Sequence, residues 1–224
     1  MAGLLVIFIL ASVMLIMELS QRKQQIDKAI EDIQKTNQIR EEMLEEIVAE
    51  LAALGIQVVI SEDKTVIHIP EDALAFETRK YAIPRDKLNV VSAIGQTIYR
   101  AITTKERKGF IDTIFIEGHT DSRPARGFME DLGNWGLSTA RATSVWQYWS
   151  TDLEFSEGIK LLENLHGEPM FSVSGYADTR PLEVNDDTDE KRRRNRRIDI
   201  RFSMKTPVLG DFENILEGLD ATSD

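Results

Sequence analysis

The sequence predicts an α+β fold, in which helices cover one face of a β-sheet, preceded by a transmembrane helix and a helical linker. Three observations support this prediction. Residues 1–17 contain no charged side chain, residues 18–54 carry apolar residues at helical spacing, and β-branched runs alternate with amphipathic segments between residues 55 and 205. The 224 residues suffice for one domain with a core and attached segments, but not for two ordinary domains.

The N-terminal segment, residues 1–19, is predicted to cross a membrane as a helix. It holds an unbroken apolar run at residues 4–10, and its uncharged stretch is at the short end of the roughly 17 to 25 residues that a span needs. No small-residue cleavage pattern follows, so a cleaved signal peptide is the second interpretation. Arg22 and Lys23 follow the span, and the positive-inside rule alone would leave the remainder in the cytoplasm. Because the chain starts directly in apolar sequence, we expect its natural beginning upstream of Met1.

Residues 20–54 are predicted to form a helical linker. Ile26, Ile30 and Ile33 form a thin apolar seam, which suits pairing with a second helix, although a solvated single helix explains the seam equally well. Over residues 43–54 the apolar stripe is broader, so we expect it to pack on the folded domain.

The predicted domain, residues 55–205, begins where Gly55 ends the linker helix. Its elements follow from hydrophobic periodicity. In order, they are a hairpin of residues 58–60 and 66–69, a helix of residues 86–104, a strand of residues 111–116, a helix of residues 137–149, and strands of residues 170–174 and 198–204. The acidic tail, residues 206–224, is expected to be a short docking helix or disordered.

The composition argues against several classes of function. A net charge of −11 opposes nucleic-acid binding, and zero cysteines exclude thiolate chemistry. His68, His119 and His166 are far apart and form no metal-binding motif, so neither a metal nor another cofactor is predicted. Ser138, His119 and Asp121 lack the nucleophile elbow and oxyanion loop of a hydrolase, so we expect a protein that is not an enzyme.

Four short motifs carry the candidate site. Residues 118–121 read Gly-His-Thr-Asp, residues 134–142 include Asn, Leu-Ser and Arg-Ala, residues 175–178 read Gly-Tyr-Ala-Asp, and residues 195–198 read Asn-Arg-Arg-Ile. In this order they resemble the peptidoglycan-binding domain shared by OmpA-type proteins and MotB-type motor stators. The resemblance spans residues 55–204 and implies a mixed sheet with helices on one face.

Asp121 and Arg141 are the expected centre of the site. A strand that ends near Glu117 would deliver Asp121 to a loop, and a helix that begins near Leu137 would carry Arg141 on its first turn, so both side chains are expected to converge. An acid pairs with an ammonium group, and the arginine fork binds a carboxylate bidentately. The resemblance implies diaminopimelate of a peptidoglycan stem peptide as the ligand, its ammonium on Asp121 and its carboxylate on Arg141. A capped turn and a helix salt bridge are the alternative.

The resemblance also implies pocket-shaping roles for Thr120, Asn134 and Leu137. Arg196 and Arg197 would border the ligand groove and pair with stem-peptide carboxylates. The alternative is salt bridging to nearby acids, namely Glu117, Asp178 or Asp199. The loop between Asp121 and Arg141 is longer than is common in the family, and its residues would contact glycan or a partner, or vary without function. They include Pro124, Gly127, Phe128 and Met129.

The order of span, linker and wall-binding domain is also that of MotB-type stators, both flagellar and of the ZorB-type defence systems. The resemblance implies a single-pass protein of the bacterial inner membrane, with its C-terminal domain in the periplasm. The implied partners are the membrane, the peptidoglycan stem peptide, a second copy in a homodimer and a MotA-like multi-span channel subunit.

The ion-carrying acid of the stator family is missing from the predicted span, and the nearest acid, Glu18, lies at its far end. The predicted function is the wall-anchoring subunit of an ion-driven stator complex. A passive structural tether between membrane and wall is the alternative, and a wall-sensing receptor is a third possibility.

Overall fold

The computed structural model describes residues 2–77, 79–104, 106–126, 132–151 and 156–205. The described residues fall into two compact units, residues 2–38 and Ile39–Lys205. The predicted acidic tail and the loop residues Gly127, Phe128 and Met129 lie outside the described residues.

One continuous helix, α1 (Ala2–Ala53), contains both the predicted span and the predicted linker. Its N-terminal apolar side chains are exposed, and it is the one helix in the described part of the chain with the length and composition to cross a membrane. Ile26, Ile30 and Ile33 are also exposed, as a pairing seam requires. Dimerisation through this seam stays a prediction.

The C-terminal part of α1 belongs to the core of the second unit. Met43, Leu44 and Ile47 are fully buried there, which confirms the packing expected from the broader stripe. The helix ends as predicted, because Gly55 adopts a φ of 78° and its N–H donates to the carbonyl of Ala52 over 2.9 Å.

The second unit contains one five-stranded mixed sheet, in the order β1-β2-β5-β3-β4. The strands are β1 (Val59–Ile60), β2 (Val66–Pro70), β3 (Ile111–His119), β4 (Phe171–Gly175) and β5 (Arg197–Met204). Strands β3 and β4 are parallel, and the other neighbours are antiparallel. The predicted hairpin and the three predicted later strands are therefore confirmed, although β3 continues three residues beyond Ile116.

The remaining helices are α2 (Glu71–Leu74), α3 (Leu88–Thr103), α4 (Gly133–Thr151), α5 (Ser156–Lys160) and α6 (Asp189–Asn195). Apolar side chains of one sheet face, such as Ile114, Ile116 and Ile200, form the core with α1, α3 and α4. The alternate residues, such as Glu117 and Asp199, occupy the other face, since successive side chains of a strand point to opposite sides.

The start of α4 corrects one expectation. The helix begins at Gly133 rather than near Leu137, so Arg141 lies about two turns inside it rather than on its first turn. The periodic apolar pattern starts at Leu137, but the turn before it is also helical. That turn carries Asn134, a polar residue that the hydrophobic pattern does not register.

Two glycines let α4 approach the sheet closely. Gly118 of β3 and Gly175 of β4 are paired in register. A Cβ atom at Gly118 would lie 2.0 Å from the carbonyl oxygen of Ser138, and one at Gly175 would lie 2.5 Å from the backbone nitrogen of Thr139. Glycine is therefore required at both positions for α4 to lie beside the loop that follows β3.

Candidate functional site

The candidate site is a cavity of about 450 Å³ beside the segment that follows β3. Six of the seven residues predicted for the site line it, namely Thr120, Asp121, Asn134, Leu137, Arg141 and Arg196. Arg197 does not line it. The structure thus brings Asp121 and Arg141 to one cavity, as expected from the sequence, and their roles in binding stay a prediction.

Arg141 is a buried cation with an incomplete set of partners. Its side chain is 4% exposed, its Nε donates to the carbonyl of Lys80 over 3.0 Å, and its Nη2 donates to that of Glu77 over 3.2 Å. The guanidinium also lies 5.1 Å from the centre of the Phe76 ring. In the described part of the chain, no carboxylate lies within ion-pair distance of it.

Burial lowers the pKa of Arg141 to about 10, because it outweighs the opposite effect of the negative charges of Glu71 and Asp121, and the positive charge of Arg196 adds a smaller decrease. The side chain is therefore still protonated at neutral pH. A buried charge without a partner of opposite sign is costly, so the site favours a ligand that brings a carboxylate.

Asp121 is already bonded to two arginines. Its Oδ2 accepts from Arg123 Nη2 at 2.7 Å, from Arg123 Nε at 3.1 Å and from Arg196 Nη1 at 2.5 Å. Its Oδ1 accepts from the backbone N–H of Arg123 at 3.0 Å. Burial raises the pKa of Asp121, but these hydrogen bonds outweigh burial and hold the pKa below its ordinary value.

Arg196 joins Asp121 to α2. Its Nε donates to Glu71 Oε1 over 2.7 Å, and its Nη2 lies 2.6 Å from Glu71 Oε2. Burial lowers the pKa of Arg196, but the two carboxylates outweigh this effect and raise it. Arg196 thus lies beside the predicted site residue Asp121. Its Nε and Nη2 atoms do not face open space, because they pair with Glu71 of the same chain.

Asn134 and Thr120 shape the cavity through their polar atoms. The amide oxygen of Asn134 accepts from the N–H of Ala125 at 2.9 Å, and its Nδ2 donates to the Asp121 carbonyl over 3.3 Å. Asn134 therefore joins the first turn of α4 to the Asp121 loop. The hydroxyl of Thr120 is buried and has no hydrogen-bond partner among the described residues.

Arg197 belongs to a separate ion-pair network on the other sheet face. Its Nε donates to Asp199 Oδ1 over 2.9 Å, as in the salt-bridge alternative considered from the sequence. Asp199 also lies 2.7 Å from His68 Nδ1 and 3.1 Å from His119 Nε2. The fold therefore brings together two histidines that are distant in sequence.

The carboxylates of this network are poorly placed to bind a metal ion. In the part of the chain that the structure describes, Glu117, His119 and Asp199 place three potential ligand atoms within 4.8 Å of one another. Arg201 binds both oxygens of Glu117 at 2.9 and 3.0 Å, and Arg197 pairs with Asp199. Both carboxylates are thus already neutralised, so a cation would have to displace an arginine.

The stability of the fold is expected to decrease as the pH falls below about 6.5. Burial lowers the pKa of His119 despite the nearby carboxylate of Asp199, so unfolded chains bind a proton at His119 that folded chains resist. Burial alone would raise the pKa of Asp199, but contacts with both histidines and Arg197 lower it. The stabilisation from Asp199 is therefore lost only below its ordinary pKa of 3.8.

Urea unfolding of the full chain in detergent, compared between about pH 7.5 and pH 5.5, measures the histidine contribution. His119→Gln should remove most of the difference, and replacement of the exposed His166 by glutamine should keep it. An unchanged pH dependence in His119→Gln would contradict the assignment.

Six residues that line the cavity were not among the predicted site residues: Glu71, Arg79, Arg123, Pro124, Ala125 and Asp189. Arg123 is only two residues from Asp121, and this proximity was the available signal. Glu71 and Arg79 lie in a stretch without clear periodicity between the hairpin and α3, and neither matches a motif. Only the folded chain shows that they reach the cavity.

Comparisons with known proteins agree with this fold. Structures with the same fold include a putative MotB-like protein from Desulfovibrio vulgaris, with a TM-score of 0.55, 17% identity and coverage of 77% of this chain and 98% of that one. The periplasmic domain of Helicobacter pylori MotB has a TM-score of 0.54 and 23% identity, and covers 75% and 92%. The cell wall anchor of the T6SS from Pseudomonas aeruginosa has a TM-score of 0.53 and 21% identity, and covers 72% and 97%.

The chain is also similar to known proteins in sequence. The uncharacterized protein YtxE from Bacillus subtilis is 30% identical over 142 residues, which are 62% of this chain and 48% of that protein. The chain thus spans about half the length of this relative. The profile of the OmpA family matches residues 76–196, more than half of the chain, and these residues include β3, α4 and α6 around the cavity. The chain therefore belongs to the OmpA family.

Proposed function

We propose that this protein binds the peptide stems of peptidoglycan through the cavity around Asp121 and Arg141. The observation that carries the proposal is the buried guanidinium of Arg141, which has no carboxylate partner in the described part of the chain. A carboxylate from a ligand would neutralise it through charge-assisted hydrogen bonds. An ammonium group beside that carboxylate could reach Asp121 in the same cavity.

The zwitterionic centre of diaminopimelate carries these two groups on one carbon atom. The fold shared with a MotB periplasmic domain and with a cell wall anchor supports a role at the wall. The residues of the cavity serve recognition in this proposal, and no chemical step is assigned to them.

The N-terminal helix supports a place in the inner membrane. Its exposed apolar side chains would be covered by lipid, and the second unit would lie in the periplasm, where peptidoglycan is found. In this arrangement residues 1–19 span the membrane, the following part of α1 up to Gln38 is the linker, and the second unit, Ile39–Lys205, binds the wall.

Two roles are compatible with such an anchor. The first is the wall-anchoring subunit of an ion-driven stator, supported by the fold shared with MotB domains. The second is a passive tether between membrane and wall, a role that needs no ion-carrying side chain in the span. A neighbouring gene for a multi-span MotA-like protein would favour the stator, and its absence would favour the tether.

The full chain in detergent is expected to co-sediment with sacculi that contain diaminopimelate. A soluble tripeptide that ends in diaminopimelate should release it, because the free zwitterionic centre competes for the cavity. A tripeptide that ends in lysine should not, because it presents an ammonium group but lacks the adjacent carboxylate for Arg141. Equal release by both peptides, or no binding to sacculi, would contradict the proposed function.

A further inference from the structure

We propose that Arg123 competes with the ammonium group of the ligand for Asp121, and thereby sets how strongly the site selects ligands that carry this group. The proposal rests on the proposed function, since it concerns the same cavity. It makes Arg123 a specificity-determining residue that the family motifs do not contain.

The Oδ2 atom of Asp121 has no free acceptor position. Oδ2 accepts three hydrogen bonds, two from Arg123 and one from Arg196. A carboxylate oxygen has about two lone-pair positions. An ammonium group can therefore bind this oxygen strongly only if one guanidinium withdraws.

Of the two arginines, Arg123 can leave Asp121 more easily. Arg196 is held from its other edge by two contacts with Glu71, and its side chain is only 13% exposed. The side chain of Arg123 is 55% exposed, and within the described residues Asp121 is the one acid with which it forms an ion pair. Water can solvate Arg123 after it leaves, whereas Arg196 would lose two ion pairs.

An ammonium group that binds Asp121 therefore replaces the ion pair between Arg123 and Asp121 with a new one. In the unchanged chain, the gain from the ammonium group on Asp121 is reduced by the loss of the Arg123 pair. Replacement of Arg123 by alanine removes this loss and leaves the backbone N–H that bonds to Asp121 Oδ1 in place. For a half-exposed pair of this kind, we expect a gain in affinity of about two- to fivefold.

The test uses the full chain in detergent and two tripeptides. One peptide ends in meso-diaminopimelate, and the other ends in 2-aminopimelate, which keeps the distal carboxylate and lacks its ammonium group. Binding constants are measured by calorimetry for the unchanged chain, Arg123→Ala and Arg123→Lys. Arg100→Ala is the matched control, because Arg100 is 58% exposed, pairs with Glu50 and does not line the cavity.

Arg123→Ala should bind the diaminopimelate peptide about two- to fivefold more tightly and leave affinity for the 2-aminopimelate peptide unchanged. Arg123→Lys should fall between Arg123→Ala and the unchanged chain, and Arg100→Ala should change neither constant. Weaker or equal binding of the diaminopimelate peptide by Arg123→Ala would overturn the inference, as would an equal gain for both peptides. An unchanged chain that binds neither peptide would instead overturn the proposed function, and the inference with it.

Discussion

Replacement of Arg141 by alanine is expected to weaken binding of the diaminopimelate tripeptide by about 10- to 100-fold. The guanidinium is buried and charged at neutral pH, and among the described residues it donates to two backbone carbonyls and lies over the Phe76 ring. A ligand carboxylate would therefore form its strongest hydrogen bonds with the Arg141 donors that are not bonded to these carbonyls. Calorimetry of the full chain in detergent measures the change.

Loss of ligand binding by Arg141→Ala must be distinguished from loss of folding. Two further variants test the charge and the geometry of the site. Arg141→Ala removes the side-chain donor to the Lys80 carbonyl and one of the two donors to the Glu77 carbonyl, so circular dichroism and urea unfolding must be recorded for each variant. Arg141→Lys keeps the positive charge but not the planar fork, and should recover only part of the affinity. Asp121→Ala should also lose binding, because it removes the acid for the ammonium group. Undiminished binding by a folded Arg141→Ala or Asp121→Ala variant would refute the proposed roles of these two residues in binding the ligand's carboxylate and ammonium groups.

Gly118→Ala is expected to lower the free energy of unfolding by about 3 kcal/mol or more. The added Cβ atom would lie 2.0 Å from the carbonyl oxygen of Ser138, and a backbone atom cannot rotate away as a side chain can. Strand β3 and helix α4 would have to separate, which would open the core and move Arg141 relative to Asp121. The variant should therefore lose stability and ligand affinity together.

Gly109→Ala is the matched control for this effect. A Cβ atom at Gly109 has no neighbour within 4 Å, and the residue does not require a positive φ. Urea unfolding of both variants, followed through tryptophan fluorescence, to which the buried Trp149 contributes, compares the same chemical change at a crowded and at an open position. Equal unfolding midpoints for Gly118→Ala and Gly109→Ala would show that the close approach of α4 does not limit stability.

Hydrophobic periodicity was sufficient to predict the longer elements. The hairpin, α3 and strands β3, β4 and β5 each bury side chains at a regular spacing, and that spacing is visible in the sequence. Helices α2 and α6 were not predicted, because they have only 4 and 7 residues and show no complete period. Both matter for the cavity, since α2 supplies Glu71 and α6 directly precedes Arg196.

The start of α4 shows the same limit at the end of an element. Its first turn is held by Asn134, which bonds to the Asp121 loop instead of packing in the core. Polar contacts between segments leave no periodic pattern. The position of Arg141 along the helix therefore differed from the prediction, although its arrival at the cavity did not.

The sequence by itself determined the class of fold, the family resemblance and six of the residues that line the cavity, because these depend on local pattern and motif order. Only the tertiary structure decided how the charges are paired. Arg196 bridges Glu71 and Asp121, Arg197 pairs with Asp199 on the other sheet face, and Arg141 has no acid partner among the described residues. Such partners come from distant segments whose meeting depends on strand register and helix position, and no spacing along the chain encodes it.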